Sequence, residues 1–345
     1  MALDTEDLFR ASVFERRVAL NSWQSDESGN YYYKKMRKLV GWQEVDGFWH
    51  HFDETGLMSA GWLDDKEERY YLSPEDGGRV EGWQKIDDKD YYFDPEKGSL
   101  ITSQWLTQDD RRYYMTADGN PAKNLHSVDG TEYYFDEITG EYLLDASKPV
   151  LALTFDDGPV ENTSKLLDVL DKNSIKATFF LQGKNIHGNE EVLKRMNKGG
   201  HTIANHSYNH PDFTELSEED IRWQIEETDR LIFDATGRKT FFFRSPYGST
   251  NERVESLLAK PTILWNVDSG DWSGSSVDEI CDMLLDTAED GTIVLMHDTY
   301  SSTVSAIDKV VPLLKKRDFQ FVNMDMLFKV KRQTPELDGV YYHLN

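Results

Sequence analysis

Val150-Leu151-Ala152-Leu153-Thr154-Phe155-Asp156-Asp157-Gly158-Pro159 is an apolar run that ends abruptly in two carboxylates, a glycine and a proline. A short apolar run bounded by turn residues reads as a buried strand. Similar runs lie at 177–181, 201–205, 240–243, 262–267 and 292–296, and the stretches 164–170, 218–235, 277–288 and 304–316 read as helices. Strands alternating with helices predict βα units and a parallel sheet, here an α/β fold of the irregular (β/α)7-type barrel. In barrels of this kind functional groups gather at the C-terminal strand ends. Polar residues should then follow the apolar runs directly, and they do. The later runs lead into His206-Ser207-Tyr208-Asn209-His210, Arg244-Ser245-Pro246-Tyr247-Gly248, Asp268-Ser269-Gly270-Asp271-Trp272 and His297-Asp298.

Upstream of this region the chain changes character. Of its 43 aromatic residues 24 precede residue 149, including six of the nine Trp. Trp23, Trp42, Trp62, Trp83 and Trp105 recur at spacings of 19, 20, 21 and 22 residues, with clusters such as Tyr70-Tyr71, Tyr91-Tyr92-Phe93 and Tyr133-Tyr134-Phe135 between them. A period near 20 signals a repeat whose units must stack to bury anything. Paired aromatics separated by Gly, Asp and Asn favour strands joined by turns. The expectation is an all-β hairpin-repeat solenoid over 21–146, after a lead segment 1–20 in which Leu8, Phe9, Phe14 and Val18 form one side of a short helix. The α/β region then covers 147–332 and a tail 333–345 follows, whose 338–343 echoes the hairpin pattern and is expected to dock near the repeats.

Composition excludes several functions. The 345 residues carry 63 acidic and 38 basic side chains, a net charge of −25, spread as −14 before residue 149 and −11 after it. Nucleic acid and anionic lipid need clustered Lys and Arg. No apolar run approaches the ~18 residues of a membrane span. A single cysteine, Cys281, excludes an internal disulfide framework and a multi-cysteine zinc site. Asp4, Glu6, Asp7, Arg10 and Glu15 interrupt the first twenty residues, so an exported chain would have lost its signal sequence already.

Two histidines at i,i+4, His206 and His210, can present both imidazoles on one side of a helical turn. Two His and a carboxylate leave a position open on zinc for water. Asp156 or Asp157 can supply that carboxylate, the other then serving as a base, and two adjacent carboxylates themselves favour a cation.

The ordered motifs Thr154-Phe155-Asp156-Asp157-Gly158, His206-Ser207-Tyr208-Asn209-His210, Arg244-Ser245-Pro246-Tyr247, Asp268-Ser269-Gly270-Asp271-Trp272 and Leu295-Met296-His297 resemble those of the polysaccharide deacetylases, carbohydrate esterase family 4. The resemblance implies that Asp157, His206 and His210 bind one divalent metal, usually zinc, with cobalt or another divalent ion as alternatives. It implies that Asp156 is the general base, oriented by Arg244, and His297 the general acid, held by Asp271. The Tyr247 backbone N–H would help hold the oxyanion, and Trp272 and Leu295 would wall the acetyl pocket. The expected reaction is hydrolysis of an acetamide on an N-acetylated polysaccharide, peptidoglycan N-acetylglucosamine first, chitooligosaccharide or O-acetyl xylan as the alternative.

The unit Gly41-Trp42-Gln43-Glu44-Val45-Asp46-Gly47-Phe48-Trp49-His50-His51-Phe52, continuing through Met58 to Gly61-Trp62, resembles the wall-binding repeats of choline-binding and glucan-binding surface proteins. The aromatics are either the stacking core of the hairpins or, by cation–π attraction, cages for a choline head group or platforms for sugars. Candidate ligand residues are Trp42, Trp49, Met58, Trp62, Tyr71, Trp83, Tyr92 and Trp105. These repeats imply an extracellular or wall-associated protein whose partner is a wall polymer, a glucan or choline. A rival from another class is a non-catalytic wall-binding adhesin.

Overall fold

The computed structural model describes residues 21–345, in two compact units that divide between Asp145 and Ala146. The helix expected around Leu8, Phe9, Phe14 and Val18 lies outside the described residues.

The first unit is a series of antiparallel hairpins: Asn21–Asp26 with Gly29–Lys34, Gly41–Val45 with Phe48–Phe52, Gly61–Asp65 with Glu68–Leu72, Gly82–Ile86 with Lys89–Phe93, Gln104–Gln108 with Arg111–Met115, and Asn124–Val128 with Thr131–Phe135. Two-residue turns at Asp87-Asp88, Asp109-Asp110 and Asp129-Gly130 have positive φ at both positions, the geometry that matches the strands' twist. From the second hairpin on, each closes on one fully buried apolar residue: Phe52, Leu72, Phe93, Met115 and Phe135. Successive hairpins touch through their Trp. Trp42 meets Tyr70 at 4.7 Å, Trp62 meets Tyr91 at 5.0 Å, Trp83 meets Tyr113 at 5.1 Å and Trp105 meets Tyr133 at 5.2 Å.

The second unit is α/β. Its elements are β1 Val150–Asp156, α1 Glu161–Lys172, β2 Thr178–Leu181, α2 Glu190–Lys198, β3 Thr202–Asn205, α3 Glu218–Thr236, α4 Glu252–Leu258, β4 Thr262–Ile263, β5 Val267–Asp268, α5 Val277–Thr287, β6 Thr292–His297, α6 Ser301–Lys315, β7 Gln320–Val322, α7 Met324–Val330 and β8 Val340–Tyr341. The main sheet is parallel in the order β3-β2-β1-β6-β5, with β7 also pairing β1. Phe243 bridges β3 to β4 and extends that order. Every residue of β1 is buried, as expected of a central parallel strand covered on both faces. Helices carry their own stops and starts. Ser276 and Glu279 form a capping box at α5, Ser217 caps α3, and Gly237 closes α3 at φ 70°.

Several expected elements come out differently. The run 240–243 contributes only the bridge at Phe243, and 262–267 breaks into β4 and β5 around Leu264-Trp265-Asn266. The His206–His210 segment is not a helical turn: Ser207 and His210 both have φ 66°, which no right-handed helix allows. The tail, expected to dock near the repeats, pairs within the α/β unit. β8 pairs in parallel with β4, because Thr262 and Leu264 find backbone acceptors on Gly339 and Tyr341.

Leu153 has no exposed surface in β1. Leu153→Ala should lower the urea-unfolding free energy of the Ala146–Asn345 unit by about 3 kcal/mol, whereas Ser276→Ala should cost only about 1 kcal/mol.

Candidate active site

The register of the sheet assembles the site. Asp156 at the end of β1 lies opposite His297 at the end of β6, and β5 runs beside β6 into Asp271. These ends, with the turns after β3 and Phe243, surround one cavity of about 430 Å³. Asp156, Asp157, His206, His210 and His297 line it, as do Tyr247, Trp272 and Leu295. Trp272 and Tyr247 are 57% and 68% exposed, so they stand at its mouth, while Leu295 is buried in its floor.

The two adjacent carboxylates face different partners. Asp156 is still in the ladder and nearly buried, with Oδ1 accepting from Arg244 Nη1 at 2.8 Å. Asp157 leaves the ladder at φ 77°, a strained value for a non-glycine residue, and turns its Oδ1 toward the histidines. His206 Nε2 is 3.6 Å and His210 Nε2 3.8 Å from that oxygen. His206 Nδ1 lies 2.8 Å from the Arg244 carbonyl, which can only accept, so Nδ1 carries a proton and Nε2 is the atom turned to Asp157. Burial, with the neighbouring His206, pulls the His210 pKa down to about 4 and keeps that imidazole neutral.

These donors suit a divalent cation. One ligand atom from each of Asp157, His206 and His210 lies within 4.8 Å of the others. Ligands about 2.1 Å from a tetrahedral ion sit roughly 3.4 Å apart, close to the His–Asp separations here. The backbone brace on His206 is the support that metal-binding imidazoles carry.

His297 is braced by a buried carboxylate. Its Nδ1 is 2.8 Å from Asp271 Oδ1, and Asp271 Oδ2 accepts from the His297 N–H and from Thr303 Oγ1, each at 2.7 Å. Burial opposes charging His297, but the Asp271 hydrogen bond and the carboxylates of Asp156 and Asp157 outweigh it and raise its pKa to about 9. Burial would raise Asp271, yet its bonds to His297 and Thr303 hold it below the usual carboxylate range.

Some supporting residues had little signal in the sequence. Thr154 Oγ1 accepts from Arg244 Nη1 at 2.7 Å and was readable as the polar interruption of a buried run. Gln182 donates to Asp157 Oδ1, and Asn185 donates to the Asp157 carbonyl at 2.8 Å. Nothing in the local pattern marks these two, or Thr303 and Tyr300, as neighbours of the site. Asp298 follows His297 but is fully buried and accepts from Thr163 at 2.5 Å. Burial raises it to about 7. The repeat candidates Trp42, Trp49, Met58, Trp62, Tyr71, Trp83, Tyr92 and Trp105 are spread along successive hairpins rather than gathered at one point.

Comparisons with known proteins agree with this division. Residues 144–263 match the polysaccharide deacetylase family model, and 39–81 and 80–126 match the choline-binding repeat. Peptidoglycan-N-acetylglucosamine deacetylase PgdA of Listeria monocytogenes serotype 1/2a (strain 10403S) is 38% identical over 184 residues, covering 53% of this chain. The chain spans only 40% of that relative's length. The peptidoglycan-N-acetylglucosamine deacetylase of Bacillus cereus (strain ATCC 14579) is 35% identical over 195 residues, 54% of this chain and 71% of the relative. Among solved structures, a family 4 acetyl xylan esterase from Clostridium thermocellum in complex with a cobalt ion superposes with TM-score 0.55 and 30% identity, covering 56% of this chain and 98% of that one. With the B. cereus protein aligned over more than two thirds of its length, the chain belongs to the polysaccharide deacetylase family.

Proposed function

We propose that this chain is a metal-dependent hydrolase that removes acetyl groups from an N-acetylated wall polysaccharide, with peptidoglycan N-acetylglucosamine the favoured substrate. The observation that carries the reading is the single cavity shared by the Asp157–His206–His210 donor set, the Arg244-bound Asp156 and the Asp271-bound His297. The curated relatives' names favour the acetamide of peptidoglycan. The esterase structure keeps O-acetyl xylan as the second reading, with chitooligosaccharide between them.

A divalent cation, zinc in first place, would be held by Asp157, His206 and His210 and would supply a Lewis acid that makes water easier to deprotonate. Asp156 receives the proton of the attacking water. Its Oδ1 is committed to Arg244, which leaves Oδ2 as the basic atom. The Tyr247 residue holds φ 59°, and its N–H, turned by that backbone, is the proposed donor to the oxygen of the tetrahedral species. His297 gives a proton from Nε2 to the leaving nitrogen, since Nδ1 is engaged by Asp271. Leu295 and Trp272 wall the space for the acetyl methyl. Acetate and a free amine result.

The same proposal takes 147–332 as the catalytic domain and 21–146 as a solenoid of wall-binding repeats, in a protein that acts outside the cell. The Trp contacts between successive hairpins and the repeat match support it. A non-catalytic adhesin would release no acetate, so turnover separates the two classes.

Chelator should abolish acetate release from peptidoglycan, and added zinc or cobalt should restore it; full activity in demonstrably metal-free protein would defeat the mechanism. Asp156→Asn should lower kcat by about 10²–10⁴-fold with the metal content, read by atomic absorption, unchanged. The acid form of His297 is the working form, so activity falls as pH rises through its pKa. Asp271→Asn removes the carboxylate charge that helps raise that pKa, and the alkaline limb of the kcat–pH profile should therefore move to lower pH. An unmoved limb would mean that another group gives up the proton.

A further inference from the structure

The hairpins share one face pattern whose variable position decides what their Trp can bind. In the first five, the ladder Trp pairs with an aromatic or histidine on the second strand, and the residue two positions before that partner shares its face. At Trp62, paired with Tyr71, that residue is Arg69; at Trp105, paired with Tyr114, it is Arg112. At Trp83, paired with Tyr92, it is Asp90, and at Trp42, paired with His51, it is Trp49. The two arginines reach back over the rings. The Arg69 guanidinium carbon is 4.4 Å from the Trp62 ring centroid and that of Arg112 is 3.8 Å from the Trp105 ring centroid.

Each indole also makes several ring contacts. Trp62 meets Tyr71, Tyr91 and Phe93 with centroid distances between 5.0 and 6.0 Å, and Trp105 meets Tyr114, Tyr133, Phe135 and Tyr142 between 5.2 and 5.8 Å. A planar guanidinium within 4.5 Å of an indole is in van der Waals contact and holds the position an external organic cation would need. Asp64, 3.4 Å from Arg69 Nε, steadies the first of these lids. By contrast Trp83 is 36% exposed and has no cation over it among the described residues.

We propose that Arg69 and Arg112 are internal ligands of the repeat unit, closing the faces of Trp62 and Trp105 to quaternary ammonium groups such as choline. The proposal rests on reading the repeats as a binding unit, and it makes two of their five ladder Trp unavailable for cation recognition. It does not involve the hydrolytic site, so acetate release serves as an independent check on the other half of the reading.

The test is equilibrium dialysis of the full-length chain against choline, with Arg69→Ala/Arg112→Ala and Arg69→Lys/Arg112→Lys beside the wild type. The alanine pair should gain choline binding by about five-fold, the scale of one exposed cation–π contact, and the lysine pair, which keeps a cation on each stem, should not. No gain in the alanine pair, or an equal gain in the lysine pair, would overturn the proposal. Near-UV circular dichroism of the variants verifies that the Trp packing survives. Acetate release should be the same throughout; its absence in every protein would count against the deacetylase reading and not against the internal ligands.

Discussion

A guanidinium with no exposed surface holds the α/β unit's site together. Arg244 donates from Nε to the Ile263 carbonyl at 2.8 Å, from Nη1 to Thr154 and Asp156, and from Nη2 to the Leu264 carbonyl at 3.0 Å. Its plane lies against Phe180, 4.1 Å from that ring's centroid. Burial alone depresses its pKa, and the Asp156 carboxylate opposes that depression. A charge this deep is tolerated only because it is paired and its donors are met. The same residue also offers its carbonyl to His206 Nδ1. One side chain therefore orients the proposed base while one backbone atom sets the tautomer of a proposed metal ligand. Arg244→Lys would keep the charge but lose the planar fork that serves β1 and the chain after β4 together.

From that anchor the division of labour between neighbouring carboxylates follows without special pleading. Asp156 is the last ladder residue of β1 and inherits the buried environment of that strand. Asp157 comes after it, at positive φ, and its side chain is freed toward the histidines. Ser207, His210 and Tyr247 also hold φ between 59° and 66°. Such conformations cost about 1–3 kcal/mol each and persist where surrounding structure over-determines them. Here the restraints are visible: the His210 N–H binds Ser207 Oγ, Gln224 accepts from the Tyr208 and Asn209 N–H groups, and the Tyr247 ring packs edge-on against His210 at 4.5 Å.

This explains which parts of the site could be read before the fold was known. Strand ends were legible because a buried parallel strand is a plain apolar run, and any polar residue at its end stands out. His297 stands at such an end, whereas Arg244 follows only the bridge at Phe243 and Asp271 lies three residues past β5. What failed was local conformation: i,i+4 spacing suggested a helical turn for His206 and His210, whereas the two rings are brought within 4.9 Å by a positive-φ turn. Thr303 and Gln182 were invisible because they arrive from α6 and from the chain after β2, and only the sheet register places them beside Asp271 and Asp157. In the repeats the Trp period was plain, but the arginines above Trp62 and Trp105 become meaningful only when strand pairing sets them on the same face.

The acidic excess takes on a different meaning from the solvated surface that composition alone suggests. In the first unit many carboxylates are turn and junction chemistry. Asp53, Asp94 and Asp136 each follow the buried Phe that closes a hairpin, and each accepts backbone N–H bonds from the turn beyond: Thr55 and Leu57, Glu96 and Lys97, Ile138 and Thr139. Asp46 and Asp65 accept the indole N–H of Trp23 and Trp42, one hairpin earlier, at 3.0 and 2.9 Å. A hairpin of ten or so residues has almost no interior, so its order depends on such short-range bonds and on the ring contacts between neighbours. Negative charge and aromatic content therefore rise together in this half for one structural reason. Two indoles, those of Trp23 and Trp42, bond a carboxylate through N–H, and two others, those of Trp62 and Trp105, carry a guanidinium over the ring.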